Sequence, residues 1–135
     1  MYEISETVAE KWKTAVDNRD CRIIGLTGAG ISAESGIPTF RGEDGYWKIR
    51  SMNFTPMEIA TLERFRDYPQ EVWHWYLTRI YHNRRAQPND GHQALVELEK
   101  LLDERFRLIT QNVDGLHLKA GNSAEKVYEI HGNLN

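Results

Sequence analysis

Three short polar runs carry residue types suited to holding a nucleotide and moving a proton. The first is 28–42, Gly28-Ala29-Gly30-Ile31-Ser32-Ala33 followed by Glu34-Ser35-Gly36-Ile37-Pro38-Thr39-Phe40-Arg41-Gly42. Gly28, Gly30 and Ala33 fit a G-x-G-x-x-G/A pattern, in which small residues let the backbone approach a pyrophosphate. Backbone N–H groups around Ala29 and Gly30 suit a diphosphate. Gly36, Pro38 and Gly42 then interrupt any long helix, and the diverted loop carries an aromatic wall, Phe40, and a movable positive charge, Arg41. The second run is Thr110-Gln111-Asn112-Val113-Asp114. Its Gln111, Asn112 and Asp114 offer donors and acceptors to ribose hydroxyls or a carboxamide. The third is Glu129-Ile130-His131-Gly132, where a histidine beyond a strand end is placed as a general base near neutral pH. Plainer readings stand beside each: glycines that permit a tight turn, Asn and Asp that cap a helix, and a structural histidine.

These groups meet only if the chain brings three strand ends together. Residues 22–27 have the length and β-branched content of a buried strand. Phe106 to Thr110 and Lys126 to Ile130 read as two more. Ile4, Val8, Trp12, Ala15 and Val16 recur at helical spacing, predicting an amphipathic helix over 4–18. A short helix is expected from Ser32 to near Gly36, and 39–54 is loop-like in composition, with Gly45, Tyr46 and Trp47. Thr55-Pro56 marks a helix start, Asp67 and Pro69 announce a longer helix to about Arg85, and Asp90 with Gln93 forms a capping-box-like pair before another. Strands alternating with helices predict an α/β fold, a Rossmann-like parallel sheet, partial here, with a helical insertion. Such sheets bind ligands beyond the carboxyl ends of their strands, where all three polar runs fall. The expected organisation is one partial catalytic domain over 1–135, with 1–42 and 89–135 as the Rossmann-like part and 43–88 as a loop and helical module. His74, His82 and His92 fall on or beside helices and His117 one turn past Asp114; all four read as surface or packing residues.

Bulk properties narrow the partners. The chain has 135 residues, 40% of them hydrophobic and 27% charged, with a formal net charge of −3. That balance gives no electrostatic reason to expect nucleic acid or an anionic membrane. One cysteine, Cys21, excludes an internal disulfide framework and a multi-cysteine zinc site within the chain. No apolar window has the length of a signal core or a membrane span, so a cytoplasmic location is the expectation.

Taken together, the run 28–42, Thr110 to Asp114 and His131-Gly132 resemble the sirtuin family, the NAD-dependent protein lysine deacylases, in order and spacing over essentially the whole chain. The resemblance implies a Rossmann-type domain with a smaller helical and zinc module. It implies a reaction in which the acyl-lysine carbonyl oxygen attacks the nicotinamide ribose, releasing nicotinamide and later O-acyl-ADP-ribose. By that likeness His131 and Asn112 are the catalytic candidates, His131 as general base on the ribose hydroxyls. Asn112 and Asp114 would hold the nicotinamide end and Gln111 the ribose. Phe40 and Arg41 would belong to a mobile cofactor loop. Tyr76 and Arg79, three apart on one helix, are similar to the pair that marks the subgroup favouring malonyl- and succinyl-lysine, and Thr39 fits that subgroup too. A guanidinium fork suits a terminal carboxylate, and a phenol adds a second hydrogen bond. Tyr76 also lies on an apolar stripe with Val72 and Ile80, a pattern that simple core packing would give too. The chain ends at Asn135, before the family's zinc cysteines and its remaining strands, so the expectation is a piece of a longer enzyme with a missing C-terminal half. The implied partners are acyl-lysine proteins or peptides, with NAD as cofactor and zinc expected only in the full-length member. Two other classes remain: an inactive NAD-binding module, and an NAD hydrolase or ADP-ribosyltransferase.

Overall fold

The computed structural model describes residues 4–39 and 56–134, the side chains of 56 and 57 excepted. Phe40, Arg41 and the loop reading from there to Thr55 lie outside the described residues. Three strands, β1 (Ile23–Thr27), β2 (Phe106–Thr110) and β3 (Val127–Glu129), form a parallel sheet in the order β1-β2-β3. Thr27 pairs with Thr110, and Thr110 with Glu129, so the three carboxyl ends are flush. This register sets Gly28, Gln111 and Ile130 side by side as the first residue past each strand.

Helix α1 (Glu6–Asp17) precedes β1, and a 3-10 helix, Ala29–Ser35, follows it. Helices α2 (Pro56–Ile59), α3 (Leu62–Asp67) and α4 (Pro69–Arg85) lead to α5 (Asp90–Leu102), and α6 (Leu116–Ala120) lies between β2 and β3. Pro69 starts α4 because its fixed φ and missing N–H suit the first turn. The sequence reading places α1, the three strands and α4 within a residue or two; α3 and α6 had no separate expectation, and one cap is displaced. Asn89, not Asp90, caps α5: its Oδ1 accepts from Gly91 N at 2.9 Å and His92 N at 3.4 Å, and its own N–H donates to His92 Nδ1.

The core lies on one side of the sheet. Phe106 and Leu108 are fully buried against Leu102, with Val16, Ile23, Leu95, Leu98 and Val127 around them. Gly25 lies against this cluster, where a Cβ would come within 3.1 Å of Leu108 Cδ1. The sequence expectation of a fully buried first strand is corrected here. Burial along β1 alternates, and Ile24 and Leu26 are 61% and 67% exposed. Only one face of the sheet is covered among the described residues, so the period-2 alternation of side chains sorts them into two environments. Helix α1 likewise leaves Ile4, Val8 and Trp12 exposed. It is anchored instead at its carboxyl end, where the Arg105 guanidinium donates to Val16 O at 2.9 Å and Asn18 O at 2.7 Å, a cation meeting the negative end of a helix.

A second anchor positions β3. The buried Glu99 carboxylate accepts from Asn122 Nδ2 at 2.8 Å, from Ser123 N at 3.1 Å and from Ser123 Oγ. Burial alone would raise its pKa; the hydrogen bonds from Ser123 and Asn122 outweigh that and hold it below the ordinary carboxylate value. The loop from α6 to β3 is thereby fixed to α5, and with it the strand that leads to His131.

Candidate functional site

Beyond the flush strand ends the chain builds a polar cluster around Ser32. The strand β1 turns at Gly28 into the 3-10 helix, which closes at Gly36 with φ +79°, a left-handed conformation that favours glycine. This helix starts at Ala29, three residues before the sequence expectation, and buries Ser32 to 1% exposure. The Ser32 hydroxyl donates to Asp114 Oδ2 at 2.7 Å and accepts from Asn112 Nδ2 at 3.1 Å. The same Nδ2 donates to Gly28 O at 3.1 Å, and Leu116 N donates to Asp114 Oδ1 at 2.9 Å. Asn112 and Asp114 are thus both buried and locked to the turn after β1, which explains why two polar residues stand together after β2. Both protons of the Asn112 amide are committed, so its Oδ1 is the atom left to accept from a ligand.

His131 stands exposed at the end of β3, its Nδ1 3.0 Å from the Gln111 carbonyl oxygen. A carbonyl only accepts, so Nδ1 carries the proton and Nε2 is the basic nitrogen of the neutral ring. Its backbone reach is set by the neighbouring turn, in which Gly132 has φ +80°.

A cavity of about 220 Å³ gathers most of the predicted residues: Ala29, Gln111, Asn112, Asp114, His131 and, from α4, Tyr76 and Arg79. Tyr76 packs edge-on against Trp75 with ring centroids 4.8 Å apart, and the Arg79 guanidinium carbon lies 4.6 Å from the Trp75 ring centre. Gly28, Gly30 and Ala33 are not in its lining. Gly28 neighbours Gln111, whose Nε2 would stand 3.6 Å from a Cβ there, while a Cβ at Gly30 would meet nothing within 4 Å. Among the described residues no atom therefore demands glycine at 30, and the open space over its backbone fits a ligand's close approach. Ala33 is exposed.

Sequence reasoning missed Ser32 and two histidines. His92 and His117 are buried at 0% and 2% exposure, with rings 4.9 Å apart, and His117 Nε2 lies 2.9 Å from Thr27 Oγ1. The packing reading of His117 thus holds in part: it is interior, and it ties α6 to the last residue of β1. His92, given the same surface-or-packing reading, is interior and closes the α5 capping box. Burial lowers both pKa values, His117 to about 4, against the opposing pull of the Asp114 carboxylate. The unfolded chain takes up the His117 proton near pH 6.5 and the folded chain only near 4. The stabilisation is complete above about pH 6.5 and is lost as pH falls toward 4. We expect unfolding free energy from urea titrations to drop by about 2 kcal/mol between pH 7 and pH 5 on account of His117 alone. A His117→Gln variant should show a smaller drop; an equal one would assign the acid sensitivity elsewhere.

Among the described residues no three His, Cys, Asp or Glu side chains are grouped to hold a metal ion, and no helix is long and apolar enough to cross a membrane.

A flush parallel sheet edge with a small-residue turn, a locked Asn-Asp pair and an oriented histidine defines a partial Rossmann-like α/β domain. The Sir2 family matches residues 28–135, and the chain belongs to that family, the sirtuins. An NAD-dependent protein deacylase of Thermus thermophilus is 52% identical over 116 residues, 84% of this chain and 43% of that protein. A Sir2 homologue in complex with NAD superposes with TM-score 0.77 at 42% identity, covering 98% of this chain and 48% of that one. A mutant Sir2 homologue bound to 2′-O-acetyl ADP ribose gives 0.78 at 44%, covering 96% and 47%. The chain therefore spans less than half the length of the relatives it matches.

Proposed function

We propose that this chain carries the nicotinamide-ribose and acyl-lysine portion of an NAD-dependent protein lysine deacylase. One observation carries the reading: Asn112, Asp114 and an imidazole with a defined basic nitrogen share one cavity with a Tyr-x-x-Arg pair. The residues present fit the group. The open backbone at Gly30 and Ala29 suits its phosphates, and the uncommitted Asn112 Oδ1 suits the carboxamide N–H of nicotinamide. When bound, NAD supplies a glycosidic bond whose cleavage leaves an electrophilic ribose carbon. Ser32 and Asp114 hold Asn112 rigid against that end. Gln111 offers its amide to ribose hydroxyls, and through its backbone carbonyl it orients His131. His131 Nε2 withdraws a proton from a ribose hydroxyl. A multi-cysteine zinc site has no donor set here, since the chain has one cysteine, Cys21.

The finer reading is a preference for acidic acyl groups, desuccinylation and demalonylation ahead of deacetylation. Tyr76 and Arg79 line the cavity from α4, and a guanidinium with a phenol matches a terminal carboxylate in charge and in donors. Mass spectrometry of the products from NAD and a succinyl-lysine peptide tests both levels. Desuccinylated peptide with O-succinyl-ADP-ribose is expected. Free ADP-ribose with unchanged peptide would instead make the chain an NAD hydrolase, and NAD binding without turnover would make it a binding module. Arg79→Met should lower the succinyl-to-acetyl ratio of kcat/KM by about tenfold or more, the worth of hydrogen bonds to a charged group. An unchanged ratio would remove the acidic-acyl preference.

A further inference from the structure

Asn83 is 3% exposed, lines the same cavity as Tyr76 and Arg79, and its carboxamide makes no hydrogen bond with any described residue. Both features run against the rules for such a residue. Asn is a poor helix former in a helix interior. The usual excuse, capping, does not apply, because the C-cap of α4 is Ala86. A buried amide is favourable only where hydrogen bonds complete it, and the cavity that Asn83 lines is the side from which a ligand can supply one. The backbone around it is held firmly. Ala86 N donates to Asn83 O at 3.2 Å, and Lys119 Nζ reaches from α6 to Ala86 O at 2.6 Å.

Positions 76, 79 and 83 are separated by three and four residues, so α4 stacks their side chains along one face. Tyr76 and Arg79 are half-buried, and Asn83 is the most buried of the three. The helix thus presents a phenol, a guanidinium and a carboxamide in succession to one cavity. A carboxylate has about four acceptor sites on two oxygens; a guanidinium fork satisfies one edge and leaves acceptor capacity for a further N–H.

We infer that Asn83 is a specificity-determining residue of the acyl pocket, its Nδ2–H donating to the terminal carboxylate of a dicarboxylic acyl-lysine gripped by Arg79. The inference rests on the acidic-acyl reading above and adds to it a residue outside the Tyr-x-x-Arg pair. Calorimetric titration of succinyl-lysine and acetyl-lysine peptides into the wild type, Asn83→Leu, Asn83→Asp and Arg79→Met tests it. Leucine keeps the volume and removes the donor. It should weaken succinyl-peptide binding about tenfold more than acetyl-peptide binding. Aspartate sets a like charge against the ligand and should widen that gap. In the unaltered chain, the side-chain N–H₂ resonances of Asn83 should shift on adding the succinyl peptide and stay in place with the acetyl peptide. If both Asn83 variants weaken the two peptides alike, or those resonances do not respond, the inference is overturned. The acidic-acyl reading then survives whenever Arg79→Met alone erases the preference. A wild type that binds both peptides equally, with Arg79→Met without effect, would bring down that reading and this inference together.

Discussion

His131→Ala is expected to slow deacylation by about 10²–10⁴-fold while leaving the unfolding midpoint in urea nearly where it was. The two halves of that expectation have different origins. The ring is exposed and, among the described residues, its hydrogen bond runs to the Gln111 carbonyl, so little packing is lost with it. What disappears is a basic Nε2 whose direction is set by the other ring nitrogen. Peptide and NAD affinities should therefore change far less than kcat. A Gly132→Ala variant gives a graded version. At φ +80° alanine is strained, the turn shifts, and kcat should fall with the imidazole still present. Full turnover in His131→Ala would remove the base assignment.

The distribution of what could be read from the sequence follows from range. Strand limits at Phe106 to Thr110, the first residue of α4 and the glycine that closes the 3-10 helix depend on local chemistry: β-branched runs, proline's missing N–H, a left-handed backbone. These were legible. Ile24 and Leu26 were not, because an apolar strand residue is written alike whether or not a layer covers it. The link from Ser32 to Asp114 crosses 82 positions, and Thr27 to His117 crosses 90. Nothing in either neighbourhood announces the other. Three polar residues in the four positions 111–114 were still a usable signal, since capping needs only one. The roles of Asn112 and Asp114 as props for the first turn emerge only when β1 and β2 are seen in flush register. Asn83 was hidden for a further reason: a helical asparagine is ordinary until its burial and its place in the cavity lining are known together.

Asp114→Ala should destabilise the fold by about 2–4 kcal/mol, more than any exposed change at the site. The carboxylate is 7% exposed and takes two donors, the Ser32 hydroxyl and the Leu116 N–H. Both belong to residues at or below 1% exposure, so neither finds water when the acceptor is removed. Asp114→Asn separates charge from shape. Its oxygen can still accept from Leu116 N, and its N–H₂ can turn to a Ser32 lone pair, because a hydroxyl accepts as well as donates. That variant should cost only about 1 kcal/mol in urea, yet loosen Ser32 and with it the Asn112 amide, lowering NAD affinity measured by calorimetry. Charge removal also reaches the histidines. Asp114 opposes the burial that lowers His92 and His117, so without it both should protonate at still lower pH in the folded state. Above about pH 6.5 these rings are neutral in both variants and folded and unfolded states alike, and they add nothing to the difference. Below pH 5 the wild type begins to regain protons on His117 and its stability levels off, whereas Asp114→Asn should continue to lose it. Parallel stability curves across pH 4 to 7 would show that the carboxylate acts on Ser32 and Leu116 alone. An Asp114→Ala midpoint within about 0.5 kcal/mol of the wild type would mean that the buried cluster does not hold the strand ends together.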